Sequence, residues 1–311
     1  MYLKIAGFAQ GTTYHITYQL VDTINLQPKI DSILHAFDRS LSSYDSNSVI
    51  SKINRNEDVI IDDLFTRVFL KSDEVYEASG GIFDITVMPL VNAWGFGPGT
   101  REDVDSMRID SLLEFVGMEK VKLENGRIIK SDPRVQLDVN AIAQGYSVDI
   151  VAGFLENLGA VNYMVEIGGE IRAIGFNPSG KLWRIGIDKP EFGNMIPGAE
   201  LEAIVELRNK SLATSGNYRK YYEENGIKYT HSLDPHTGYP AKQSLLSATV
   251  IADDCITADA YATVFMVGGL EKSIELLKHH PELDAYLIYG DDTGVYQLYV
   301  TRGMKKMVAE P

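Results

Sequence analysis

Apolar positions along the 311 residues of the chain alternate between strand-like and helix-like spacing. Tyr14–Leu20 (YHITYQL) has the aromatic and β-branched content of a strand. Pro28 suits a first helical turn, where its missing N–H has no partner to lose. Ile30, Ile33, Leu34, Phe37 and Leu41 then mark one buried helical face. Asp63 to Ser79 reads as a second helix, with Leu64, Val68, Val75 and Ala78 inward and Gly80-Gly81 as its stop. Val135–Val139 alternates like a strand. From Ala143 onward Val148, Val151, Leu155 and Leu158 keep helical spacing until Gly159. Short strands are expected at Tyr163–Ile167 and Ile171–Gly175 around a Gly168-Gly169 turn, then at Trp183–Ile187, Glu202–Leu207 and Ser247–Ala252. Helices at Thr257–Met266 and Glu271–Lys278 and strands at Ala285–Tyr289 and Val295–Val300 complete the pattern. Strands come in pairs separated by helices, without regular βαβα alternation, so the expected fold is α+β with mainly antiparallel sheets.

No low-complexity stretch or long Pro/Ser linker divides the chain. Residues 1–311 are therefore expected to form a single unit, with two closely packed lobes as the alternative. A hydrophobic content of 45% is enough for a large core without disulfide or metal staples. The 43 acidic and 29 basic side chains give a formal charge of -14. That excess argues against a general nucleic-acid binder, which needs a basic footprint, and against adsorption to an anionic membrane surface. Cys255, the one cysteine, cannot form an internal disulfide. No run of about 18 apolar residues predicts a spanning helix, and the first ten residues carry no signal-peptide apolar core.

Several standard sites are missing. The chain has no GxxxxGK[ST] phosphate loop, no GxGxxG after a strand and no GxSxG elbow. Its six histidines make no HExxH or Cys/His zinc spacing. Four dense polar and glycine-rich segments remain. In Ser79–Pro98, Asp84 is either a turn cap or part of a pocket wall where glycines let a planar ligand approach. In Leu137–Tyr146, Asp138 either caps the next helix or helps that helix N-terminus receive an anion. Leu212–Tyr221 and Thr230–Pro240 concentrate Thr214, Ser215, Asn217, Tyr218, Arg219, His231 and Asp234. They suit either a hairpin with a long connection or phosphate recognition and proton transfer. In Asp253–Thr263, Asp259 and Thr263 are four apart, so on a helix both oxygens face one way and could hold a hard cation such as Mg²⁺. The plainer reading is a Thr back-bond beside an unrelated Asp.

Taken together and in order, these segments resemble the ApbE family of flavin transferases (FAD:protein FMN transferases, formerly called thiamine-biosynthesis lipoproteins). The resemblance rests on Ala9–Tyr18, Ser42–Asn54, Ser79–Gly97, Leu137–Asp149, Glu166–Gly175, Leu212–Tyr221, His231–Pro240 and Asp254–Thr263. It implies a T-fold-like, duplicated α+β architecture that takes FAD as substrate with Mg²⁺, or Ca²⁺ in its place. By position in the motifs it puts flavin contacts at Gln10, Tyr44, Ile82, Phe83, Asp84, Asp138, Gln144, Ser215 and Leu233. It puts metal ligands at Ala141, through the backbone carbonyl, Asp259 and Thr263. Gln10 stands where the family commonly has Met, and Asn140 and Gln144 replace a frequent Gly and Lys, which removes one positive charge near the phosphates.

The implied reaction is Mg²⁺-dependent transfer of FMN from FAD to a threonine or serine hydroxyl of a flavin-accepting redox protein, with AMP released. His231 is the candidate proton acceptor. Two alternatives stand beside it: hydrolysis of FAD to FMN and AMP, and FAD binding without turnover. By the same resemblance the protein is expected in the periplasm, or at the outer face of the cytoplasmic membrane as a lipoprotein, with an N-terminal lipid anchor as its one tie to the membrane.

Overall fold

A computed structural model of the chain describes every residue except Thr23, Asp103, 191–197, 218–220, 225–226, 242–243, 291–294 and 310–311, with only the backbone of 221–224 and 227–229. In chain order, β1 (Tyr2–Ala9) and β2 (Thr12–Gln19) precede α1 (Gln27–Leu41), α2 (Val49–Asn54), α3 (Asp63–Ser79), α4 (Met88–Ala93) and α5 (Ser106–Leu113). The hairpin of β3 (Val121–Glu124) and β4 (Arg127–Lys130) leads to α6 (Asn140–Asn157), β5 (Tyr163–Ile167) and β6 (Glu170–Ile174). Next come β7 (Trp183–Asp188), β8 (Leu201–Leu207), β9 (Lys210–Gly216), β10 (Tyr221–Glu224), β11 (Ile227–Thr230) and β12 (Leu245–Ala252). They are followed by α7 (Cys255–His279), β13 (Asp284–Gly290) and β14 (Tyr296–Val300). The chain folds into two compact units, one made of residues 1–35, 144–219 and 243–311, the other of 36–143 and 220–242.

The first unit is built on an eight-stranded sheet in the order β1-β2-β5-β6-β9-β12-β13-β14. Every neighbouring pair is antiparallel, as the paired strand pattern predicts. Alternate residues of β2 (Tyr14, Ile16, Tyr18) and β5 (Tyr163, Val165, Ile167) pack with Ile30 and Leu34 of α1 and with Val148, Val151 and Leu155 of α6. These are the helical faces that the apolar spacing marks, and burying each such side chain contributes about 1.5–3 kcal/mol. A second apolar cluster joins Ile171, Leu212, Ile251 and Ile288 of the sheet to Trp183 and Ile185 of β7 and Val205 and Leu207 of β8. The two helices expected at Thr257–Met266 and Glu271–Lys278 lie within α7, which breaks between them at Gly269 (φ 75°). Ser273 Oγ donates to the Gly269 carbonyl at 2.6 Å, so a carbonyl at the break keeps a partner.

The second unit holds α2 to α5 and the hairpins β3–β4 and β10–β11. Its α3 starts where Asp62 accepts the Phe65 N–H at 2.8 Å and ends at left-handed Gly80 (φ 67°), matching the expected helix and stop. Leu90, Trp94, Ile109, Leu112 and Leu233 form its apolar cluster.

Two readings of the sequence need correction. Val135–Val139 is not a strand and makes one isolated bridge, Gln136 to Val87. Side chains take the backbone groups that a ladder would use. Asn54 pairs with the Leu137 N–H and carbonyl at 2.7 and 2.9 Å, and Lys130 Nζ donates to the Val135 carbonyl at 2.8 Å. Conversely, Leu212–Gly216 belongs to β9, although its small polar residues resemble a turn. Thr214 lies opposite Thr249 of β12, with the hydroxyls 2.9 Å apart. Strand β1 at the sheet edge alternates half-buried and exposed residues from Leu3 to Ala9, yet its sequence goes unpredicted as a strand.

Candidate functional site

In the first unit, α7 presents Asp259 and Thr263 one turn apart. Its start is fixed by Asp254, whose side chain accepts the Thr257 N–H at 3.1 Å. Asp259 is buried, and its Oδ2 accepts the Gly145 N–H of α6 at 2.8 Å. Burial pushes its pKa up to about 7; the Gly145 N–H opposes the shift and the negative charge of Asp149 adds to it. Among the described residues no lysine, arginine or histidine pairs with this carboxylate. An ionised carboxylate held dry without a countercharge is costly, and a bound cation would remove that cost. The Thr263 hydroxyl makes no hydrogen bond among the described residues, so the back-bonded reading of the Asp–Thr pair does not hold.

Helix α6 comes this close to α7 because residue 145 is glycine. A Cβ there would overlap the Cys255 carbonyl oxygen and lie 2.6 Å from the Asp259 Cβ. Gln10 sits in the β1–β2 turn at φ 54°, where its Oε1 accepts from Ser147 Oγ at 3.1 Å while its Nε2 is buried with no partner among the described residues. The Gln144 amide lies over Gly168, where any side chain would collide with it. Ser215 is half-buried in β9, opposite Ala248 of β12.

The second unit carries the remaining predicted residues. Asp84 is buried in a turn, where its Oδ1 accepts the Thr86 N–H at 2.7 Å and the Thr86 hydroxyl at 2.6 Å. The turn-capping reading of Asp84 is therefore correct as far as its local contacts go. Burial still raises its pKa to about 6 against those two bonds. Phe83 is buried and its N–H donates to Ser79 Oγ at 3.1 Å, while Ile82 beside it is half-buried. The N–H of Asp138 donates to the Ile85 carbonyl at 2.7 Å, tying the segments of Asp84 and Asp138 together. Asp138 Oδ1 accepts the Asn140 N–H at 2.8 Å, a short-range bond at the start of α6, and burial raises its pKa. Tyr44 is an exposed ring whose hydroxyl pKa is raised by partial desolvation and by the charge of Asp138. His231 stands edge-on to Phe96, with ring centroids 6.5 Å apart. Leu233 is buried in the apolar cluster, and its backbone bridges to Pro240. Tyr218 and Arg219 lie outside the described residues.

Sequence reasoning missed the residues that hold these groups in place. Asp149 of α6 accepts the Cys255 and Ile256 N–H groups at the start of α7, and Arg172 of β6 donates to it at 2.8 Å. Asn54 holds the backbone beside Asp138. The one available signal for Asp149 was a carboxylate next to Val148 on a helix that is otherwise largely apolar.

The model of the ApbE family matches residues 10–287. The chain belongs to the ApbE family. Among ApbE-type relatives, an FAD:protein FMN transferase from Haemophilus influenzae is 37% identical over 94% of this chain and 88% of its own length. A solved flavin transferase ApbE from Vibrio cholerae superposes with a TM-score of 0.89 at 34% identity, covering 99% of both chains. The apo form of a flavinyl transferase ApbE from Pseudomonas stutzeri gives 0.88 at 32% identity, covering 99% of this chain and 96% of that one. The ApbE fold is thus the α+β arrangement, mainly antiparallel, that the strand and helix pattern predicts.

Proposed function

We propose that the chain transfers the FMN moiety of FAD to a threonine or serine hydroxyl of a target protein and releases AMP. Its membership of a family whose relatives are FAD:protein FMN transferases supports the activity. The observation that carries the chemistry is the buried carboxylate of Asp259, without a basic partner among the described residues and one helical turn from an unengaged hydroxyl, that of Thr263.

Those oxygens suit a hard divalent cation that takes few protein ligands and fills its shell with water and phosphate, and the family resemblance adds the Ala141 carbonyl as a further ligand. Among the described residues no group of three or more His, Cys, Asp or Glu could hold a metal on its own. A softer or tighter protein-only site is therefore a poorer fit. When bound, Mg²⁺ supplies charge neutralisation at the pyrophosphate. The protein's own groups do the rest. In the first unit, Gln10 offers a buried amide N–H with no partner among the described residues, and Gln144 and Ser215 offer polar contacts. In the second unit, Tyr44 offers an exposed ring for stacking, while Ile82, Phe83 and Asp84 supply apolar surface, backbone and a carboxylate. By the family resemblance Asp138 and the Leu233 region are further flavin contacts in this proposal.

In the transfer itself, the acceptor hydroxyl oxygen forms a bond to the FMN-side phosphorus and the bond from that phosphorus to the bridging oxygen breaks. AMP leaves with that oxygen, and His231 takes the hydroxyl proton. By the family resemblance set out from the sequence, the protein is proposed to act outside the cytoplasm. Asp259→Ala should abolish AMP release from FAD in the presence of Mg²⁺ and an acceptor peptide. Undiminished Mg²⁺-dependent AMP release by that variant would refute the metal assignment.

A further inference from the structure

Helices α6 and α7 exchange hydrogen bonds in both directions. Gly145 of α6 donates its N–H to Asp259 of α7 at 2.8 Å. One turn further along α6, Asp149 accepts from the other helix: Cys255 N–H lies 3.0 and 2.9 Å from its two oxygens, and Ile256 N–H lies 2.8 Å from Oδ2. Cys255 and Ile256 open α7 one turn before Asp259. The two carboxylates and three amides thus close a ring across the helix pair. From these contacts we propose that Asp149 is a positioning residue that sets the Asp259 carboxylate for its divalent cation; this inference rests on the metal assignment above.

Three features support it. First, the amides that Asp149 accepts are those at the start of a helix, which have no helical acceptor of their own and favour a negative charge. Second, Asp149 is paid in full: Arg172 Nη1 donates to Oδ1 at 2.8 Å, so its charge is matched within the protein and it does not compete for the cation. Among the described residues Asp259, by contrast, has only the Gly145 amide. Third, the close approach forced by Gly145 leaves the first turn of α7 little room to slide. A shift of that turn would carry Asp259 with it. Groups that orient a ligand from behind commonly change metal affinity by about 10–100-fold when removed.

The test is calorimetric titration of the full chain with Mg²⁺ alone, set beside urea unfolding. Asp149→Asn keeps the shape but loses the charge and an acceptor, and should weaken Mg²⁺ binding by about tenfold. In an Asp259→Asn background the same change should alter the residual affinity by less than about twofold, because two residues acting through one group are not additive. Arg172→Lys, which keeps the charge and loses the planar fork, should give a smaller loss in the same direction and serves if Asp149→Asn does not fold. Lower stability in Asp149→Asn with unchanged Mg²⁺ affinity would overturn the inference and leave the metal site standing. If Asp259→Asn itself binds Mg²⁺ as the parent does, the metal assignment falls and the inference with it.

Discussion

A methyl group at position 145 would overlap the Cys255 carbonyl oxygen, which is backbone and cannot swing aside. Helix propensity alone predicts that Gly145→Ala stabilises α6 by about 1 kcal/mol. The packing predicts the reverse, a loss of roughly 1–3 kcal/mol read as a lower urea midpoint. The sign of the change therefore decides between them. Asp84 gives a second test, through pH. Its pKa is raised in the folded state to about 6 by burial. A raised carboxylate contributes stability that is fully present below its unfolded value and is lost as pH rises through the folded one. Between pH 4 and 7 in metal-free buffer, the stability of the parent relative to Asp84→Asn should fall by roughly 2–3 kcal/mol. A difference that stays flat over that range would contradict the burial argument. At this scale the sequence could disclose Asp259 and Thr263, because helical periodicity alone aligns residues four apart. It did not disclose Asp149 or Asn54, whose partners lie in segments distant in the chain: two backbone amides and Arg172 for Asp149, the Leu137 backbone for Asn54.

Short elements carry much of the positioning. Helix α2 is six residues long, too short for periodicity to reveal, yet its last residue, Asn54, makes both hydrogen bonds to the Leu137 backbone next to Asp138. Lys130, whose pKa is lowered to about 8 by burial, donates to the carbonyls of Ile53 and Val135 at 3.0 and 2.8 Å and fixes the same stretch. Asn54→Ala leaves a backbone N–H and carbonyl without their partners and should cost about 2 kcal/mol. It should also weaken FAD binding, followed by quenching of flavin fluorescence; unchanged FAD affinity would separate this clamp from the proposed flavin contacts. The alternation of Val135–Val139 was legible but misassigned, since it records which side chains are buried and not which partner takes the backbone. The long helices and central strands were legible because their apolar faces had to match the core, whereas in edge strand β1 apolar Ala6 and Phe8 stand at exposed positions and Gly7 at a half-buried one, so its hydropathy does not follow its burial.

Across the whole molecule, a formal charge of -14 sits with a proposed anionic dinucleotide substrate. That combination is consistent only if positive potential is supplied locally, which is the part assigned to the cation at Asp259. Among the described residues no helix is long and apolar enough to cross a membrane. The antiparallel α+β architecture was readable from strand pairing, and the family from eight segments spread along the chain. Two lobes stood only as the alternative, and the boundaries of the two compact units were not legible, because no linker composition marks them and α1 and α6 each run across one. The central claim is group transfer to a protein hydroxyl. It is tested most directly by incubating the protein with FAD, Mg²⁺ and a threonine-bearing acceptor peptide and measuring released AMP against flavin covalently bound to the peptide. The account predicts one AMP for each flavin attached, with both lost in Asp259→Ala. AMP released without attached flavin would contradict it and point to hydrolysis, and neither product would leave the protein a binder of FAD.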